Sequence, residues 1–431
     1  MPDFLPRHSA LAAAALVLAS LAACAGTVAQ AADAASAPTL GASAPTPAAD
    51  DALAQGFARW VAAFRESAHA AGIDDATLHA AFDDAHYLPR VVALDQQQPE
   101  LTRTIWDYLD LVVTPQRIST GQDKLLQYRA EADAAAARYG VPPATLLAVW
   151  AIESNYGGNV GDIPTIDALA TLGFEGRREA WARGQLLAAL KILQSGDIAR
   201  ARMVGSWAGA MGQTQFLPSA FLAYAVDGDG DGRRDIWGSP ADVLASTANF
   251  LSRVGWQAGQ RWGTEVRLPP GFDVGRADEA LRQATAQWAA EGVRAADDAP
   301  LPELAEGAIL LPGGARGPAF LVGPNFRALL RYNNSTSYAL AVSLLAQRLG
   351  GGPDVQAPWP RDLQALTRSQ LIDLQAALNA GGFSSGNADG LMGPATRDAL
   401  RRYQRSAGLP ADGYPTPDLL KRLQERQGVP G

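Results

Sequence analysis

A chain of 431 residues, 48% apolar and 19% charged, has room for two or three domains with separate cores and the composition of an ordinary globular protein. Its formal net charge of −8 comes without any Lys/Arg block, so the basic footprint that phosphate backbones require is missing and no nucleic-acid partner is expected. The single cysteine, Cys24, excludes internal disulfides and thiolate zinc sites, and the four histidines, His8, His69, His79 and His86, all lie in the first fifth of the chain. A Ser-His-Asp triad in the long remainder is therefore impossible. Chemistry there must run on carboxylates, hydroxyls or amides.

In chain order, Arg7 and His8 precede an apolar run from Ala10 to Leu21. This has the form of a secretory signal, too short to span a bilayer as a mature helix. It ends Leu21-Ala22-Ala23-Cys24, which resembles the lipobox of bacterial lipoproteins. That resemblance implies cleavage after residue 23, lipidation of Cys24, and a periplasmic protein anchored to the outer membrane. The alternative is a plain signal peptide cut near Ala29-Gln30-Ala31, giving a soluble periplasmic form. Residues 24–50 are Ala, Ser, Thr, Pro and Gly with almost no large apolar side chain, and read as a flexible tether.

Regular patterning starts near Leu53, and helical periodicity dominates to about residue 260; Phe57, Trp60, Val61 and Phe64 stand at i, i+3, i+4 and i+7. Between about 262 and 325, runs such as Glu265–Leu268, Ala308–Leu311 and Ala319–Val322, separated by Pro and Gly, predict a few strands. Helix returns over Tyr338–Leu349. Gly350-Gly351-Gly352-Pro353, then Pro358 and Pro360, mark a boundary at 351–361, ahead of a small module at 362–428.

Val141-Pro142-Pro143 followed by Ala144–Ser154 predicts a helix opened by proline and stopped by Gly157-Gly158. Leu146, Val149 and Trp150 lie seven, four and three residues before Glu153, on its helical face. A carboxylate ending an apolar stripe beside an aromatic is poorly solvated, which raises its pKa as a general acid at neutral pH requires. Spacing alone fits a surface Glu as well.

Three segments go further. Ala151-Ile152-Glu153-Ser154-Asn155-Tyr156-Gly157 closely resembles the catalytic segment of lytic transglycosylases. Ser206-Trp207-Ala208-Gly209-Ala210-Met211-Gly212-Gln213-Thr214-Gln215-Phe216-Leu217-Pro218 resembles the Gly-Ala-Met-Gly-x-x-Gln-Phe-x-Pro segment of the membrane-bound type B lytic murein transglycosylases. Tyr332-Asn333-Asn334-Ser335-Thr336-Ser337-Tyr338 resembles their Tyr-Asn-x-Ser-x-x-Tyr segment. The three occur in the family's order over roughly 51–350. The resemblance implies a mainly helical, lysozyme-like catalytic domain with a small β portion. It also implies a reaction needing one carboxylate, where ordinary glycosidases use two. Glu153 would protonate the oxygen between N-acetylmuramic acid and N-acetylglucosamine, then deprotonate the muramic C6 hydroxyl to give a 1,6-anhydro end, with no cofactor in catalysis. Ser206, Gln215, Tyr332 and Asn333 match substrate-positioning residues, and Tyr338 the aromatic beside the acid; packing or capping is the plainer role for each.

Asp227-Gly228-Asp229-Gly230-Asp231-Gly232 places acids at positions 1, 3 and 5 and glycine at 6 of an EF-hand-like loop. Arg233 would offer its carbonyl at position 7 and Asp235 would ligate directly or through water. Gly238 replaces the usual Glu at position 12. The family's loops resemble this in carrying the last acid late, which makes Asp242 the counterpart of a structural Ca²⁺ site; a solvated Asx-rich turn is the alternative.

In the C-terminal module, Leu371–Leu378 and Ala399-Leu400-Arg401-Arg402-Tyr403-Gln404 are amphipathic helices, each followed by an Asp-Gly turn, at Asp389-Gly390 and Asp412-Gly413. The pattern predicts a small three-helix bundle and resembles the peptidoglycan-binding module of wall hydrolases. The expectation is a monomer whose partner is the glycan strand of peptidoglycan, with the module raising the enzyme's concentration at its polymer. A hydrolytic muramidase and a catalytically silent scaffold lipoprotein are the other readings.

Overall fold

A computed structural model describes residues 47–96 and 103–426. Cys24, the export signal and most of the expected tether lie outside them. The chain runs α1 (Pro47–Ala70), α2 (Asp75–Phe82), α3 (Pro89–Gln96), α4 (Ile105–Val112), α5 (Pro115–Gln127), α6 (Arg129–Tyr139) and α7 (Pro143–Ser154). It continues through β1 (Ile163–Pro164), α8 (Thr165–Glu175), α9 (Glu179–Gln194), β2 (Val204–Gly205), α10 (Pro218–Tyr224) and α11 (Pro240–Arg253). Then come β3 (Gly263–Arg267), α12 (Thr285–Ala290), β4 (Arg294–Ala295), β5 (Ala308–Leu310), β6 (Ala319–Val322), α13 (Pro324–Tyr332) and α14 (Thr336–Leu349). The last three helices are α15 (Arg368–Ala380), α16 (Pro394–Ser406) and α17 (Pro417–Arg426). The mainly helical class with a small β portion is what the patterning predicts. Helix α1, however, begins at Pro47, several residues before the apolar pattern becomes readable.

The chain divides into two compact units: the described residues up to 96 with Glu153–Ser246, and those from 103 to Ile152 with the residues from Thr247 on. In the first, α8 packs on α9, with α1, α2 and α10 around them. Phe57 meets Tyr87 and Phe174 edge-on. Gly173 lies so close to Trp60 that a Cβ there would sit 2.6 Å from the indole. Strands β1 and β2 pair antiparallel, Ile163 opposite Gly205.

In the second unit, four antiparallel strands stand in the order β4-β3-β6-β5. Val266, Ile309 and Leu321 pack with Trp288 into one core, and the Trp288 indole N–H donates to the Gly307 carbonyl at 2.9 Å. Helices α15–α17 form the expected three-helix module around Leu374, Leu378, Leu400, Tyr403 and Leu423. Helix α15 starts with a capping box between Thr367 and Gln370.

The segment 351–361 is not loose within this unit. The Glu265 carboxylate accepts from the Gln356 and Ala357 amides, both at 2.8 Å. Trp359 stacks on Phe320, and Arg361 grips Asp110 through both guanidinium nitrogens. Arg316 does the same with Asp362. Buried Arg401 pairs with Asp278 and donates to the Ala277 carbonyl. The module is therefore fastened within its unit by several directional contacts.

Candidate active site

Helix α7 ends at Ser154, one residue past Glu153, and the backbone then turns left-handed at three successive residues: Asn155 (φ 50°), Tyr156 (φ 57°) and Gly157 (φ 85°). Tyr156 carries a bulky side chain, which populates that region rarely and at a cost of about 1–2 kcal/mol, whereas Asn155 adopts it more readily. Strain of this kind persists only where surrounding contacts over-determine the backbone, and here they do. Ser154 is fully buried; its hydroxyl donates to the Gln213 carbonyl (2.8 Å) and accepts from the Gly157 amide (3.1 Å). Its own carbonyl accepts from the Asn159 amide (2.8 Å). Gln213 in turn donates from its backbone to the Ile236 carbonyl and from its side chain to the Trp237 carbonyl. The end of α7 is thus riveted to the Gly-Ala-Met-Gly segment by the residue next to Glu153. Glu153 itself is half-buried. On the same helix Leu146, Val149 and Trp150 are buried, as the apolar stripe predicts.

Ser206 and Gln215 belong to the segment that Gln213 anchors. Gln215 is another left-handed residue (φ 50°), and its amide nitrogen donates to the Val160 and Gly212 carbonyls at 3.1 and 2.8 Å. That grip fixes the carboxamide plane. The Ser206 hydroxyl accepts from the Ala210 amide at 3.1 Å, closing the turn that presents Trp207. Tight backbone approaches hold the segment: a Cβ at Gly205 would lie 2.9 Å from the Ala210 carbonyl carbon, and one at Gly161 would overlap the Gly205 carbonyl. Glu153, Ser206 and Gln215 therefore share one braced framework in the first unit.

Tyr332, Asn333 and Tyr338 are brought together in the second unit. The two tyrosine rings stack at 6.4 Å and 11°, and Tyr332 also lies 4.6 Å from Phe250. Ser335 of this motif caps α14, accepting from the Tyr338 amide. The side-chain oxygen of Asn333 is buried without a hydrogen-bond partner among the described residues. A buried polar atom left in this state costs free energy that a ligand's donor would recover.

Of the expected calcium ligands, Asp227, Asp229 and Asp242 bring carboxylate oxygens within 4.8 Å of one another. Asp231 and Asp235 stand outside that trio: Asp231 accepts from the Arg233 amide, and Asp235 from the Trp237 and Gly238 amides with Arg202 at 3.4 Å. Asp242 is fully buried, and burial, aided by the charges of Asp229 and Asp227, pushes its carboxyl up to about 6 although the Gly228 and Asp235 amides donate to it. Asp227, by contrast, is held below the ordinary carboxylate range, first by the Gly232 amide. A buried acid facing two others with no cation side chain among them fits a bound divalent cation. Oxygen-only donors suit Ca²⁺ rather than a softer metal.

Sequence reasoning singled out Glu153 but passed over Ser154 and Gln213, the pair that holds it. A buried hydroxyl joined to a main-chain carbonyl 59 residues on leaves no local signal.

A family model described as a transglycosylase SLT domain matches residues 56–347, and one for a peptidoglycan binding domain matches residues 367–423. Membrane-bound lytic murein transglycosylase B of Escherichia coli K12 is 33% identical over 247 residues, spanning 56% of this chain and 66%, just under two thirds, of that protein. The crystal structure of SltB3 from Pseudomonas aeruginosa in complex with NAG-anhNAM-pentapeptide is 51% identical, with a TM-score of 0.83, covering 85% of this chain and 99% of that one. That of the Escherichia coli lytic transglycosylase Slt35 in complex with calcium is 31% identical, with a TM-score of 0.58, covering 70% and 94%. No helix among the described residues is long and apolar enough to cross a membrane. With an SLT domain over most of its length and a wall-binding domain behind it, the chain belongs to the lytic transglycosylase family, which acts on peptidoglycan.

Proposed function

We propose that the chain cleaves the β-1,4 bond between N-acetylmuramic acid and N-acetylglucosamine, leaving 1,6-anhydro-muramic ends, with Glu153 as the only proton-transfer group. The observation that carries this is the bracing of Glu153. A helix end strained into three left-handed residues and riveted through Ser154 to the Gln215 segment holds one carboxylate in a fixed place. A lone acid that must later serve as base has to stay within reach of two oxygens in turn, which rewards such rigidity. By the family resemblance, Gln215 and Ser206 of the first unit would contact the sugars, as would Tyr332, Asn333 and Tyr338 of the second. The NAG-anhNAM-pentapeptide held by the P. aeruginosa relative is an anhydro product of this kind, and supports the reading. Analysis of fragments released from purified peptidoglycan tests it: anhydro ends agree, new reducing ends mean hydrolysis, and no release means a silent scaffold.

Calcium at Asp227, Asp229 and Asp242, with Asp231, Arg233 and Asp235 contributing through the loop, would pin this segment; the calcium complex of Slt35 supports the assignment. In the metal-free chain the raised Asp242 carboxyl adds stability below about pH 4, and that stability is lost as pH rises towards about 6. Ca²⁺ requires the ionised form, so its effect runs the opposite way. Added Ca²⁺ should raise Tm by several degrees at pH 7.5 and by almost nothing at pH 4.5, with the step near pH 6. An unchanged Tm at pH 7.5 after chelation and re-addition would remove the site.

Cys24 supplies the proposed outer-membrane anchor, supported by its place after Leu21-Ala22-Ala23 and by the membrane-bound relative. Mass spectrometry of the native protein should find the mature chain starting at a lipidated Cys24; an unmodified one contradicts the anchor.

A further inference from the structure

The wall-binding module is an internal repeat, and its two halves are used differently. In the first half Gln375 clamps the Asp389-Gly390 turn: its amide nitrogen donates to Asp389 Oδ1 and its oxygen accepts from the Gly390 amide at 2.8 Å. In the second, Gln404 does the same for Asp412 and Gly413, again with 2.8 Å to the glycine amide. Both glycines are left-handed, and a Cβ on either would lie 2.7 Å from the Cγ of the arginine seven residues before the glutamine, Arg368 or Arg397. Each turn leads into a helix opened by proline, Pro394 or Pro417. The two turns are the same device.

The second turn is occupied. Asp412 Oδ2 accepts the main-chain N–H of Ala315 at 2.9 Å, and Tyr414, next to the turn glycine, lies against Gly314 so closely that a Cβ there would come within 2.9 Å. One helical turn after Arg397, Arg401 adds the ion pair to Asp278. At the matching positions of the first turn stand Asp389, Leu391 and Ile372. Asp389 is exposed, Leu391 is 49% exposed, and no group of the described residues donates to Asp389 Oδ2. So the first turn offers a carboxylate oxygen for one amide N–H, flanked by two aliphatic side chains where its twin has a tyrosine and an arginine.

We propose that the Asp389-Gly390-Leu391 turn is a ligand-binding site of this module, taking a peptide main-chain N–H with an apolar group beside it, where its twin takes the N–H of Ala315. The ligand is the peptide of a peptidoglycan strand, so the inference rests on the family reading of the module. Asp389 Oδ2 receives the peptide N–H, and Leu391 and Ile372 cover the methyl group beside it. The aliphatic flank selects against an acidic partner of the kind that Arg401 meets in the twin.

The test is methyl NMR on the full chain, with the Leu391 signals identified by their loss in Leu391→Ser. The probes are an alanine-containing tetrapeptide released from peptidoglycan and peptide-free chitotetraose. A saturable Leu391 shift with the tetrapeptide is expected, with about tenfold weaker binding in Asp389→Asn, which keeps the Oδ1 acceptor and an unchanged Tm but loses the free oxygen. An unshifted Leu391, equal affinity in Asp389→Asn, or an equal response to chitotetraose each overturns it. Co-sedimentation with intact sacculi separates the levels. A chain that sediments while Leu391 stays silent refutes this site alone, and a chain that does not sediment refutes the wall-binding reading and this site together.

Discussion

Glu153→Gln should lower kcat on purified peptidoglycan by on the order of a thousandfold or more while leaving sugar affinity and Tm nearly unchanged. The amide is isosteric with the carboxylic acid and can still make hydrogen bonds at a half-buried position, so neither packing nor binding has reason to change. What it lacks is a transferable proton and, afterwards, a basic oxygen. Both halves of the proposed reaction use those properties of one group, so a single substitution removes both. Measuring kcat with KM, and glycan binding separately, distinguishes this outcome from a folding defect. Activity within tenfold of the unmodified chain would mean that another group carries the proton.

The second large effect is expected four residues on. In Gly157→Ala the new methyl would lie 2.8 Å from Gln213 Cδ, and closer still to Oε1, at a backbone φ of 85°. The conformational cost alone is roughly 1–2 kcal/mol. The larger consequence is positional. The methyl meets the end of the Gln213 side chain, whose amide holds the Trp237 carbonyl, and the same residue's main-chain carbonyl holds Ser154, the neighbour of Glu153. A displacement of about 1 Å at a proton-transfer group can cost about a hundredfold in rate. The expectation is therefore a kcat reduced about a hundredfold with a modest loss of Tm. Gly158→Ala is the control: its φ lies outside the left-handed region and its Cβ would meet Asn155 at 3.2 Å, so activity should stay close to that of the unmodified chain.

These two substitutions also mark what can be read from the chain. Glu153, Ser206, Gln215, Tyr332, Asn333 and Tyr338 could be singled out because contiguous segments carry them. The edges of α7 were legible because proline and glycine act locally. The Ser154–Gln213 bond was not, because it joins residues far apart through a main-chain carbonyl that any amino acid would supply. Nor were the left-handed Tyr156 and Gln215: side chains that tolerate this conformation only under tertiary constraint leave no trace of it in sequence. Strand β4 covers only Arg294 and Ala295, too short for any periodicity, whereas β5 and β6 lie within a residue of the expected runs and β3 starts two residues early. The stretch at 351–361 shows the opposite failure. Its Pro and Gly content reads as a linker, yet Trp359 and Arg361 tie it down through partners that local composition does not reveal. Asp242 was singled out through the family's late acid, and in the fold it is buried and accepts the Gly228 and Asp235 amides of the loop.

The central claim is that Glu153 moves one proton out and one back within the substrate, so that no water enters the product. Digestion of purified peptidoglycan in water enriched in oxygen-18, followed by mass spectrometry of the released fragments, tests this most directly. Fragments lighter by one water than hydrolysis products, carrying no heavy oxygen and absent with Glu153→Gln, are the predicted result. Heavy oxygen at new reducing muramic ends would show a hydrolase and contradict the account.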